Sequence, residues 1–391
     1  MWGIFVKRLI ITIIIVFTLV GCGKESEEIS NTTPTPKYPR NTAVSFIGVG
    51  DNLIHEAIYL EADTNLGTTG DGTYDFKPFY EYVEPDIQKA DIAFLNQETV
   101  LGGEELTLSG YPSFNSPREV AKDMNDLGFN MFNLANNHSL DKGMIGVEKT
   151  LATFDELDDI IYNGIFTNDE DAKKIPILEQ KGIRIALLSY TYRVEGAYSD
   201  AYGVSYFDEE LIRREVAAAK EISDVILVSA HWGEENTFEI NEFQEEYAQL
   251  FADLGVDVVL GTHPHTIQPI EWITGVNGNE MLVTYSLANF MGSMLNVDNL
   301  LSGMIHFDIV KAHETKDVYI ENVKWTPLVI HFEGNPDNVW GERHSHKVYK
   351  LKDYTPELAA RQLLNGYEGQ TVDIDMLWEK TNATIADFYL R

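Results

Sequence analysis

Residues 225–265 read VILVSAHWGEENTFEINEFQEEYAQLFADLGVDVVLGTHPH. The stretch opens on an apolar β-like run, Val225–Val228, and leaves it through His231, Trp232, Gly233 and Glu234. Helical periodicity follows over Phe243–Leu254. A second apolar run, Val256–Leu260, leads into Gly261, Thr262, His263, Pro264 and His265. Strand, helix and strand in this order make a βαβ unit, which requires a parallel pair and a crossover helix.

The same alternation extends outward. Upstream, strands are expected at Val44–Val49, Ile92–Leu95, Met131–Ala135 and Ile183–Leu188, and downstream at Met281–Tyr285, Gly303–Phe307 and Val318–Ile320. Helices are expected near 117–127, 147–157 and 209–222, with another at 356–364. After about residue 312 β-like runs dominate. The class is therefore α/β.

In α/β sheets, side chains that do chemistry collect beyond the C-terminal ends of strands. Here Val44–Val49 is followed by Asp51 and His55, and Ile92–Leu95 by Asn96, Gln97 and Glu98. Met131–Ala135 is followed by Asn136, Asn137 and His138. His231 and the pair His263 and His265 end the two runs quoted above. Half of the chain's ten histidines lie at these ends. Each feature alone has an ordinary explanation as a turn former, a helix cap or a packed histidine. Their joint placement points to a metal-type cleft. Carboxylate, amide and imidazole donors suit Mn, Fe or Zn, and the inventory is large enough for one or two ions.

Composition bounds the rest. The chain has 391 residues, 62 Asp plus Glu against 29 Lys plus Arg, and a formal charge of −33. That balance excludes a basic nucleic-acid-binding face. A single cysteine, Cys22, excludes a disulfide framework and a thiolate zinc cluster. Residues 1–21 carry Lys7 and Arg8 and then an apolar run, Leu9–Val20, too short to span a membrane. Its end, Leu19-Val20-Gly21-Cys22, resembles the lipobox of bacterial lipoproteins. That resemblance implies cleavage before Cys22, lipidation of its thiol and an extracytoplasmic, membrane-anchored domain. Residues 22–41, rich in Ser, Thr, Pro, Glu and Lys, read as a flexible tether.

The set Gly50-Asp51, Asn96-Gln97-Glu98, Leu134 to Gly143, Ala230 to Gly233, Gly261 to His265 and Ser286 to Phe290 resembles the CapA family of bacterial capsule and poly-γ-glutamate synthesis proteins. The resemblance implies the fold of calcineurin-like metallophosphoesterases: a four-layer sandwich of two β-sheets flanked by helices, at residues 42–335, with 336–391 as a C-terminal extension. It also implies roles. Asp51 and Glu98 would be metal carboxylates, Asn137 an amide ligand, and His231, His263 and His265 metal histidines. His138 would protonate the leaving group or hold the phosphate. Three departures leave the metal count at one or two. His55 follows Asp51 by four residues instead of two, Asn96-Gln97-Glu98 replaces a Gly-Asp motif, and Asn136 stands where glycine precedes Asn-His. Substrate contacts are expected from Arg118, at the end of Ser109–Arg118, and from Asn136, His55 and Trp232; a surface arginine and a core tryptophan are the competing readings.

The family implies an anionic cell-surface polymer and membrane-embedded capsule synthase proteins as partners. Two alternatives stand beside it: a metallophosphoesterase for an unrelated phosphoester, and a non-enzymatic binding or scaffold module of a membrane synthase complex.

Overall fold

A computed structural model describes residues 41–65, 68–195 and 203–390. The leader, Cys22 and nearly all of the tether lie outside the described residues. Among the described residues no helix is long and apolar enough to cross a membrane.

In chain order the elements are β1 (Thr42–Asn52), α1 (Glu56–Asn65), α2 (Glu84–Ile87), β2 (Ile92–Gln97), α3 (Glu119–Asp126), β3 (Met131–Asn133), α4 (Gly143–Phe154), β4 (Ile161–Asn163), β5 (Ile177–Gln180), β6 (Ile183–Thr191) and α5 (Glu209–Ile222). They continue with β7 (Val225–His231), α6 (Glu242–Leu254), β8 (Val258–Thr262), β9 (Ile270–Thr274), β10 (Glu280–Thr284), β11 (Asn289–Met291), β12 (Leu301–Lys311), β13 (Val318–Gly334), β14 (Arg343–Lys350), α7 (Pro356–Arg361) and α8 (Ile374–Thr384). The strands form two sheets. One runs β14-β13-β12-β1-β2-β3-β4, with β11 beside β1; the other runs β5-β6-β7-β8-β10-β9. Strands β1 to β4 pair in parallel, as do β6, β7, β8 and β10; the later strands β12 to β14 add antiparallel pairs.

The inner faces of the sheets share one core, in which Phe46, Val49 and Leu95 join Ile185, Leu227 and Leu260. Strands β2, β7 and β8 are buried at every position, as strands covered on both faces must be. The outer face of the second sheet buries Val228, Val259 and Val283 against Ile212 and Val216 of α5 and Ala248 and Phe251 of α6. Helices α1, α3 and α4 pack their apolar residues onto the core of the first sheet. This is the expected four-layer arrangement of two sheets between helices.

Local chemistry sets the helix ends. The Asp208 side chain accepts the Leu211 N–H at the start of α5. Asn241 and Gln244 form a reciprocal capping box on α6, which stops at Gly255 in the left-handed conformation. Residues 336–391 belong to the same body as 41–335. Strand β14 extends the first sheet, and Leu363, Leu377 and Ile385 join its core.

Candidate metal centre

The pairing registers bring the strand ends together. Asp51 of β1 lies opposite Asn96 of β2, which lies opposite Asn133 of β3. In the other sheet Thr191, His231 and Thr262 are aligned. Two glycines allow close backbone approach here: a Cβ on Gly50 would stand 1.8 Å from the Ala288 carbonyl oxygen, and one on Gly261 2.0 Å from that of Tyr285. Past β8 the chain turns sharply, with His263 at φ 98° and His265 at φ 59°. Left-handed backbone at two non-glycine residues costs of order 1–3 kcal/mol each and persists only where surrounding contacts enforce it. Here it sets both imidazoles beside the carboxylates of the first sheet.

Three overlapping groups of donor atoms result: Asp51, Glu98 and His265; Glu98, His231 and His263; and Glu235, His263 and His265. Within each group the donor atoms lie within 4.8 Å of one another. Glu98 belongs to two of them, 3.7 Å from His231 Nε2 and 3.8 Å from His265 Nε2. It is 0 % exposed, and neither of its carboxylate oxygens has a hydrogen-bond partner among the described residues. His263 Nδ1 is likewise buried and unpartnered. Buried polar atoms without partners are rare and costly, so a cation is the natural complement. Asn137 Oδ1 stands 2.9 Å from His231 Nε2, and the Tyr192 hydroxyl 3.0 Å from His263 Nε2.

Outer contacts orient these donors. Asp51 Oδ1 accepts from Asn96 Nδ2 at 2.7 Å, and Asn133 Nδ2 donates to Asn96 Oδ1 at 2.7 Å. Asp51 Oδ2 accepts the His263 N–H and faces His265 Nδ1 at 3.2 Å. His231 Nδ1 meets Thr262 Oγ1, and His265 Nδ1 meets Asn289 Oδ1, each at 2.9 Å. His138 Nδ1 is 2.9 Å from Asp141 Oδ2, and the ring is edge-on to Phe114.

The electrostatics follow from burial. Desolvation, then the Asp51 charge, pushes the Glu98 carboxyl well above its ordinary range. Desolvation, then the neighbouring imidazoles, holds His231 and His263 well below theirs, so both are neutral as ligands must be. Burial also pulls on His265, but Glu98 and Asp51 together outweigh it and raise it to about 10. The cluster thus holds protons that a divalent cation would displace.

The structure brings together Asp51, Glu98, Asn137, His231, His263 and His265, with His138 on the adjoining loop. The four expected substrate contacts are placed elsewhere or otherwise engaged. Trp232 is 0 % exposed, its indole N–H donating to the Tyr285 carbonyl and its ring stacked on Phe207; it is core. Arg118 lies at the surface, 3.4 Å from Glu105. Asn136 spends its side chain on the turn, accepting the His138 N–H and donating to the Gln97 carbonyl. His55 is buried, accepts the Ser293 N–H at Nδ1 and packs edge-on against Phe114. These placements share one cause: a sequence places residues on a loop but does not say which way their side chains turn. Tyr192 joins the site without having been singled out in the sequence, and Glu235 and Asn289, which follow two of the strand ends, join it beside the expected donors. The polar run Thr191-Tyr192-Arg193 at the end of β6 was the available signal for Tyr192.

A cavity of about 500 Å³ opens on the cluster, lined by Tyr192, Arg193, Glu234, Glu235, Phe243 and His263. A larger one, about 780 Å³, lies beside α4 and β4 among Leu151, Ile161 and Tyr162 and contains no residue of the cluster.

The family model for the bacterial capsule synthesis protein PGA_cap matches residues 45–294. The chain is 28% identical over 287 residues to the PGA biosynthesis protein CapA of Bacillus subtilis (strain 168), covering 72% of this chain and 70% of that protein. It is 28% identical over 243 residues to the capsule biosynthesis protein CapA of Bacillus anthracis, covering 60% of this chain and 56% of that one. Among solved structures it is similar to a hypothetical protein from Thermus thermophilus, at 14% identity and a TM-score of 0.43, covering 72% of this chain and 98% of that one. It is also similar to the 5'-nucleotidase from Candida albicans SC5314, at 14% identity and a TM-score of 0.38, covering 67% and 47%. With most of its length matched by the family model, and with that model's span containing every donor of the centre, the chain belongs to the bacterial capsule synthesis family of the CapA proteins.

Proposed function

We propose that this chain is a membrane-tethered, extracytoplasmic protein of the capsule pathway that handles an anionic surface polymer and carries a metal-dependent hydrolase centre of the phosphoesterase type. One observation carries the reading. Glu98, fully buried with both oxygens unpartnered, stands between two histidine-bearing groups. Asp51, Glu98, Asn137, His231, His263 and His265 would hold one or two divalent ions, with Mn, Fe or Zn matching the donor set. When bound, such ions would supply Lewis-acid polarisation and a water acidic enough to attack at neutral pH.

The chain's own residues do the rest. Asp141 holds Nδ1 of His138, which leaves Nε2 to carry a proton to the departing oxygen. Asn96 and Asn133 fix the Asp51 carboxylate, so it need not reorganise during the reaction. His231 and His263 stay unprotonated because they are desolvated. What supports the membrane anchor is the leader: Lys7 and Arg8, the apolar run 9–20, and Cys22 after Gly21.

The test is the metal content of the domain from residue 42, wild type and His263→Ala, followed by hydrolysis of a chromogenic phosphoester. One or two equivalents of metal, lost together with hydrolysis in the variant, is the expected result. A folded wild-type protein that takes up no metal from any candidate ion would refute the hydrolase and point to a binding module. Fractionation of cells expressing Cys22→Ser tests the anchor, which requires release of the protein from the membrane.

A further inference from the structure

Arg343, at the first position of β14, lies beyond the stretch that the family model matches. Its Nη1 donates to the Ser293 carbonyl, and its Nε is buried without a hydrogen-bond partner. Among the described residues no carboxylate comes within 4 Å of this guanidinium, although the chain holds 62 acidic residues against 29 basic ones. Burial holds its pKa below the ordinary arginine range; Glu56, at the exposed start of α1, is the acid that acts on it from a distance. The guanidinium carbon sits 5.7 Å from the ring centre of Trp340, which is 70 % exposed.

The Ser293 carbonyl that holds Arg343 is itself fixed. Ser293 Oγ meets His346 Nε2 at 3.2 Å, and the Ser293 N–H donates to His55. His346 Nδ1 is 2.6 Å from Glu61, which also accepts the backbone N–H groups of Ser345 and His346. Glu61, the acid nearest in the network, is therefore spent on His346 and does not neutralise Arg343.

From here the path to the metal centre is short. His55 packs edge-on against Phe114, and Phe114 against His138. Tyr111, on the same loop, is 73 % exposed. Lys142 donates to Ser113 Oγ of this loop and likewise has no carboxylate within 4 Å among the described residues. Two cations without acidic partners thus connect to one loop, Arg343 through Ser293 and His55 and Lys142 through Ser113, and that loop carries an exposed tyrosine and touches His138. A half-desolvated guanidinium with free donors gains most from a carboxylate, to which its planar fork is matched.

We infer that Arg343 and Lys142 anchor separate carboxylates of an acidic polymer laid across the 111–114 loop, with Trp340 and Tyr111 packing against its backbone. The inference rests on the polymer reading above. It assigns part of the choice of polymer to Arg343 and Trp340, which lie outside residues 45–294 matched by the family model.

The test is fluorescence polarisation with a labelled poly-γ-glutamate oligomer, on wild type, Arg343→Gln, Arg343→Lys and Lys142→Gln, with inorganic phosphate as competitor and metal content measured in parallel. Arg343→Gln should weaken binding about tenfold or more, and Arg343→Lys should recover part of it. Both neutral variants should flatten the salt dependence and leave metal content and small-phosphoester hydrolysis unchanged. A metal-loaded, hydrolytically active wild type that binds the oligomer no better than Arg343→Gln would overturn the anchor and leave the hydrolase standing. Arg343-dependent binding by a protein that takes up no metal would do the reverse. Displacement by millimolar-range phosphate with no preference for the oligomer would overturn the carboxylate assignment.

Discussion

Replacing Glu98 by glutamine tests the central argument, because the two forms of the protein should respond in opposite directions. In the metal-free chain Glu98 is buried with neither oxygen hydrogen-bonded, a situation that costs about 1–3 kcal/mol per unsatisfied group. Glutamine has the same shape and cannot ionise, so it carries none of the cost of a desolvated carboxyl beside Asp51, while His231 Nε2 stays with Asn137 Oδ1. His265 keeps Asp51 at 3.2 Å. Metal-free Glu98→Gln should therefore be more stable than wild type by about 1–3 kcal/mol at neutral pH. With metal the order should invert. A ligand present at about a thousandfold its dissociation constant stabilises the folded state by about 4 kcal/mol, and the variant loses the carboxylate shared by two donor groups. The assay is thermal unfolding of both proteins in chelator and in excess Mn or Zn, where each kcal/mol moves the midpoint by about 2–4 °C in domains of 150–250 residues and by less in larger ones. A variant less stable than wild type in chelator, or one showing the full metal-induced shift, would refute the argument.

His55, Trp232 and Arg118 supply three more tests. Burial, then the Arg343 charge, holds His55 down to about 3 against 6.5 when unfolded, with the Leu53 carbonyl pulling the other way. The stability tied to its neutral form is complete above pH 6.5 and falls by about 1.4 kcal/mol per pH unit on acidification toward 3; urea unfolding across that range should show His55→Asn, which retains an acceptor, losing less than wild type. Trp232→Ala should cost about 3–5 kcal/mol with metal stoichiometry retained, whereas Arg118→Ala should stay within about 0.5 kcal/mol and leave oligomer binding unchanged; denaturant midpoints and the polarisation assay check both, and a binding loss at Arg118 would reinstate it as a substrate contact.

Most of the strands that were legible in the sequence are buried on both faces. Continuous apolar runs mark β1, β2, β6, β7, β8 and β10 without any tertiary information. Those that escaped are short or at edges. Strands β4 and β11 have three residues each, and β14 reads Arg-His-Ser-His-Lys-Val-Tyr-Lys, a polar edge strand with little apolar alternation. Helix α1, Glu-Ala-Ile-Tyr-Leu-Glu-Ala-Asp-Thr-Asn, lacks a clear apolar stripe, and its burial of Ile58, Tyr59 and Ala62 comes from the sheet it meets.

By itself the sequence determined the βαβ alternation, the acidic balance and the delivery of Asp, Glu, Asn and His to successive strand ends. These are encoded locally, in the period of apolar residues and in what stands directly after each run. Only the tertiary structure decided which of those side chains meet. The left-handed turns at His263 and His265, the closure of Gly50 and Gly261 on neighbouring carbonyls and the stranding of Glu98 between two sheets all depend on contacts far apart in the chain. The same holds for Trp232, turned into the core one residue after a histidine of the donor cluster, and for Arg343, brought to the His55 side of the site by an edge strand. A strand's side chains alternate between faces, so a single position separates a ligand from a packing residue, and the face is set by the sheet that receives it.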